Sequence, residues 1–95
     1  MRLSKYIRDE LKHASGVAFK DAKLFLFGSR LDDNKRGGDF DIAVKCNIDK
    51  ETFRRSKIKF FKYLLLKDLE LPIDLVHYEK ANPLLKSEID KGVIL

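Results

Sequence analysis

The stretch Asp39-Phe40-Asp41-Ile42-Ala43-Val44-Lys45 constrains the fold of this chain more than any other. A strand sends successive side chains to opposite faces, so Phe40, Ile42 and Val44 point one way and Asp39 and Asp41 the other. Any sheet holding this strand has an apolar face that must be covered and a second face that begins acidic. Two more apolar runs supply neighbours. Ala22 to Phe27 reads as a short buried strand ended by Gly28, and Leu71 to Tyr78 as a third strand that tolerates Pro72 near its start.

The covering layer comes from segments with helical periodicity. From Ser4 as N-cap, Ile7, Leu11 and Ala14 fall on one stripe, and this helix is expected to end near Gly16. Asn47 or Asp49 caps a long segment in which Phe53, Phe60, Phe61, Leu64 and Leu65 share a face as far as about Lys67. Asn82 and Pro83 open a last helix through Leu84, Leu85 and Ile89, closing at Gly92 before a short apolar tail, Val93-Ile94-Leu95. The order α-β-β-α-β-α predicts an α+β fold, a small mixed β-sheet with helices packed on one face. With 95 residues and no linker, repeat or low-complexity tract, residues 1–95 form a single domain.

Composition narrows the classes of function. No apolar run approaches the roughly 20 residues that cross a membrane. Met1-Arg2-Leu3-Ser4-Lys5 leads into charged sequence instead of a signal core, so a cytoplasmic protein with no membrane partner is expected. Cys46 is the single cysteine, which excludes an intrachain disulfide and reads as a buried or half-buried reduced thiol. Twenty Lys and Arg against fifteen Asp and Glu give a formal charge of +5. The basic cluster Arg54-Arg55-Ser56-Lys57-Ile58-Lys59, with Lys62 and Lys67, falls on the long helix, where a solvated outer face is the plainer reading. Nucleic-acid binding through it is the less favoured alternative, and its mark would be an affinity falling steeply with salt.

The acids carry the chemistry. Asp74 stands inside the apolar run Leu71-Pro72-Ile73-Asp74-Leu75-Val76, and a third strand beside the second would bring it to Asp39 and Asp41. Three carboxylates so close repel one another unless a divalent cation neutralises them. Magnesium suits the set, because it takes hard oxygen ligands, few protein carboxylates and the phosphates of a nucleotide. Gly28 at a strand end lets backbone approach an anion, Ser29 offers a hydroxyl and Arg30 a charge-assisted contact. Taken singly these signals are unspecific: Gly-Ser before Arg is common, and paired aspartates at a strand end often only face water. Their order points to phosphoryl or nucleotidyl transfer. A P-loop is excluded, since no GxxxxGK[ST] run exists. His77 alternates away from Asp74 and reads as a structural histidine, His13 as a solvated one, while Tyr78 falls on the Asp74 face.

Phe25-Leu26-Phe27-Gly28-Ser29-Arg30, Asp39-Phe40-Asp41-Ile42-Ala43-Val44, Ile73-Asp74-Leu75-Val76 and the closing Glu88-Ile89-Asp90-Lys91-Gly92-Val93-Ile94 together resemble the minimal nucleotidyltransferase domain of the DNA polymerase beta superfamily. The resemblance spans nearly the whole chain. It implies a two-metal mechanism in which Asp39 and Asp41 hold two magnesium ions against ATP, Gly28 and Ser29 cradle the outer phosphates, and Asp74 joins the metal set and helps activate the attacking hydroxyl. Small members of this family are often antitoxins encoded beside an all-helical HEPN ribonuclease toxin, and some transfer AMP to a tyrosine of that toxin. The resemblance therefore implies a type VII-like antitoxin that modifies a HEPN-family protein, or alternatively a non-catalytic antitoxin that acts by occlusion. The chain lacks the second domain of fuller nucleotidyltransferases, which favours a partner supplying the missing wall, and a helical partner or a second copy is expected to cover apolar surface left by the Phe-rich helix with Phe53, Phe60 and Phe61.

Overall fold

The computed structural model describes residues 4–28 and 40–95. In chain order the elements are α1 (Lys5–Ala18), β1 (Lys23–Phe27), β2 (Phe40–Lys45), α2 (Lys50–Leu66), β3 (Ile73–His77), a 3-10 turn (Tyr78–Lys80), α3 (Pro83–Asp90) and β4 (Val93–Ile94). Among the described residues the strands form one sheet in the order β3-β2-β1-β4. β1 runs antiparallel to β2 and β4, whereas β2 and β3, joined through α2, are parallel. The sheet is therefore mixed and the fold α+β, as the element order predicts.

The period-two pattern of the strands divides the core. Leu24, Leu26, Phe40, Ile42, Val44 and Leu75 meet Leu11, Ala14 and Ala18 of α1 and Phe53, Phe60 and Leu64 of α2. Phe27 and Ala43, one position out of phase, pack with Ile89 of α3. The two long helices cover one face, as expected. The short α3 lies on the other face, an addition to the single helical layer drawn from the sequence.

Local chemistry sets the helix ends. Ser4, Asp49 and Asn82 are the N-caps, their side chains accepting from the amides of Ile7, Thr52 and Leu85. α1 continues past Gly16 to Ala18. A solitary helical glycine costs only about 1 kcal/mol relative to alanine, and burial of Ala18 and Phe19 offsets it. α2 closes in a Schellman arrangement, with the Asp68 amide donating to Leu65 O and the Leu69 amide to Leu64 O, while Asp68 takes the left-handed conformation at φ 57°.

The apolar tail becomes β4, paired with β1 at Phe25↔Ile94 and Leu26↔Val93 and extended by the Leu95 amide donating to Leu24 O at 2.9 Å. Two exposed residues carry too little pattern to be read as a strand, and their order comes from the waiting edge of β1. Glu10 of α1 carries a charge into the interior. It is buried, with His13 Nδ1 at 3.6 Å and Lys67 Nζ at 3.9 Å.

Candidate active site

Strand register decides which acids meet. Asp41 is paired with Asp74 across the parallel β2/β3 ladder and with Phe27 across the antiparallel β1/β2 ladder. Paired residues on adjacent strands share a face, and neighbouring strands lie about 4.8 Å apart, so the two carboxylates emerge side by side. They stand at the end of the sheet where β1 finishes and β2 and β3 begin. Asp41 is half-buried and Asp74 exposed. Asp39, Ser29 and Arg30 lie outside the described residues, so the expected third carboxylate and two of the three phosphate contacts are not placed.

Gly28 completes the described part of this corner. Its φ of +82° lies where side chains other than hydrogen are strained. A Cβ built on it would meet Asp41 Oδ2 well inside contact distance, with Asp41 Cγ at 3.1 Å and Cβ at 3.3 Å. The absence of a side chain thus gives room to the Asp41 carboxylate as well as exposing backbone. No local sequence signal reveals this contact, because it depends on how β1 leaves its pairing with β2.

The donor chemistry fits magnesium. Two hard carboxylates side by side match an ion that takes one or two protein oxygens and completes its shell with water and phosphate. Among the described residues no group of three or more His, Cys, Asp or Glu side chains is arranged to hold a metal. A complete site on this corner would therefore draw on Asp39 or on phosphate oxygens.

His77 and Tyr78 make packing contacts. His77 is buried on the opposite face, its ring stacked on Phe53 at 4.4 Å between centroids and 4° between planes. His77 Nε2 donates to Cys46 O at 3.0 Å, and its Nδ1 is buried. His13 is exposed. Cys46 is half-buried, and desolvation followed by the Glu79 charge raises its thiol above the ordinary range. Tyr78 rests on Phe25 with centroids 6.1 Å apart, with Lys45 and Lys86 over its ring. Its hydroxyl donates to Asp90 Oδ1 at 3.0 Å, and that bond chiefly raises its pKa. Tyr78 thus ties the end of β3 to α3.

Away from the acids, a cavity of about 170 Å³ lies between α1 and the β1/β4 edge, lined by Lys12, Ser15, Lys20, Lys23 and Ile94 among others. On α2, Arg54 and Arg55 are exposed and pair with Glu51 at 2.7 and 3.8 Å, as on a solvated helix face. No helix among the described residues is long and apolar enough to cross a membrane.

A comparison with curated proteins finds no match. A comparison with known families matches residues 7–95 to the family described as "Polymerase beta, Nucleotidyltransferase". The match takes in all four strands and nearly all of α1, including both acids on the β2/β3 ladder and the Gly28 turn. This chain belongs to the polymerase beta nucleotidyltransferase family.

Proposed function

We propose that the chain is a magnesium-dependent nucleotidyltransferase that moves AMP from ATP to a hydroxyl of a partner protein. The acceptor we propose is a tyrosine of a HEPN-type toxin encoded nearby, which would make the chain an antitoxin. The observation that carries this reading is the side-by-side placement of Asp41 and Asp74 next to the Gly28 turn. A role by occlusion alone gives no reason to place two like charges on adjacent strands, where they repel.

In this reading Asp39, Asp41 and Asp74 would hold two magnesium ions, and Gly28, Ser29 and Arg30 would receive the outer phosphates. Bound magnesium would offset charge on the triphosphate and favour the ionised form of the acceptor hydroxyl. Asp74, the more exposed acid, accepts the proton of that hydroxyl. The acceptor oxygen bonds to the α-phosphorus, the bond to the bridging oxygen breaks, and pyrophosphate leaves. In this reading the partner supplies the far wall of the site and so determines the acceptor.

The test is incubation of the chain with ATP, magnesium and the neighbouring gene's product, followed by intact-mass measurement of that product. A mass gain of one or more AMP units is expected with wild type and not with Asp41→Asn or Asp74→Asn. A partner neutralised equally by both variants, with no mass gain, would favour occlusion.

A further inference from the structure

We infer that Gly28 is a positioning residue for the Asp41 carboxylate, so that the turn expected to receive phosphate also sets where the metal-holding acid stands. The inference about metal rests on the functional reading above, whereas the steric relation does not. Gly28 follows the last residue of β1, and Phe27 is the cross-strand partner of Asp41. The Asp41 carboxylate reaches back past that pairing into the volume a Cβ on Gly28 would fill, contacting it through Oδ2, Cγ and Cβ. A methyl group there cannot coexist with the carboxylate in this place, so the acid must rotate or the turn must shift. Backbone strain at φ +82° adds a second penalty that does not involve Asp41. The two penalties are separable, because only the first disappears when the Asp41 side chain is removed.

Phosphate cradling and acid placement also make different predictions. If Gly28 served phosphate alone, an added methyl group would weaken nucleotide binding and leave nucleotide-free metal binding untouched. Placement of Asp41 by Gly28 requires the metal to be affected with no nucleotide present. It further requires Gly28 and Asp41 to be coupled in the stability of the metal-free protein.

The experiment uses four proteins, wild type, Gly28→Ala, Asp41→Gly and the double variant, with two readouts. In thermal unfolding without metal, Gly28→Ala is expected to lower Tm more in wild type than in the Asp41→Gly background, where only backbone strain remains. Equal losses in both backgrounds would overturn the steric relation. In nucleotide-free Mn²⁺ titrations followed by electron paramagnetic resonance, Gly28→Ala is expected to weaken binding by about tenfold or more, as for other residues that orient a metal ligand. Wild-type Mn²⁺ affinity in Gly28→Ala would overturn the placement claim. If wild type itself binds no Mn²⁺, the metal reading of the site fails, and the stability coupling alone still decides whether Gly28 positions Asp41.

Discussion

At the head of α2 the Asp49 side chain accepts from the Thr52 hydroxyl and, at 2.7 Å, from the Thr52 amide, and these bonds hold its carboxyl below the ordinary value of 3.8. A carboxyl with a lowered folded pKa binds fewer protons in the native state than in the unfolded chain. Its contribution to stability is therefore complete above the ordinary value and lost as pH falls through the folded one. Wild type is expected to lose more Tm than Asp49→Asn on acidification from about pH 5, since asparagine keeps an acceptor that does not titrate. Parallel Tm profiles for the two proteins would contradict this account of the cap. Single residues of this kind are legible when their partner is close in sequence: Asp49 and Asn82 announce helices three residues before the amides they receive. That Asp74 would come to Asp41 if the third strand lay beside the second was legible, and the β2/β3 register pairs the two. The Gly28 contact with Asp41 and the Tyr78 bond to Asp90 were not legible, because each depends on a tertiary approach that leaves no periodicity.

Elements obeyed their local patterns except where a glycine rule met tertiary packing. Gly16 suggested the end of α1, yet the helix runs through it, and the left-handed positions after α1 and α2 are held by Lys20 and Asp68. Both left-handed places after these helices therefore lack a glycine, and a helix interior has one. A methyl on Gly16 would meet nothing within 4 Å, so Gly16→Ala is expected to stabilise the protein by about 0.5–1 kcal/mol. Asp68→Gly, at a φ of 57° in the Schellman turn, should stabilise by a similar amount, about 1 kcal/mol. Denaturant midpoints with unchanged m-values would measure both, and a lowered midpoint in either variant would contradict the corresponding helix argument. β4 was illegible for a different reason: Val93 and Ile94 are ordered by the β1 edge and carry no signal of their own.

Across the whole molecule, the long helix between β2 and β3 does most to assemble the site. By burying Phe53, Phe60 and Leu64 under the sheet, α2 brings β3 back parallel to β2 and sets Asp74 beside Asp41. The phenylalanines of α2 are in large part core: Phe60 is fully buried and Phe53 9% exposed. The apolar groups α2 does expose are Ile58, Leu65 and Leu66. The third acid and the phosphate-side residues Ser29 and Arg30 fall outside the described residues, so the central claim rests on Asp41, Asp74 and Gly28. The most direct measurement follows the fate of label from ATP carrying phosphorus-32 at either the α- or the γ-position, in the presence of magnesium and the partner. Nucleotidyl transfer at this site predicts α-label on the partner, γ-label released as pyrophosphate, and loss of both with Asp41→Asn. Transfer of γ-label to the partner, or α-label transfer undiminished in Asp41→Asn, would contradict the account.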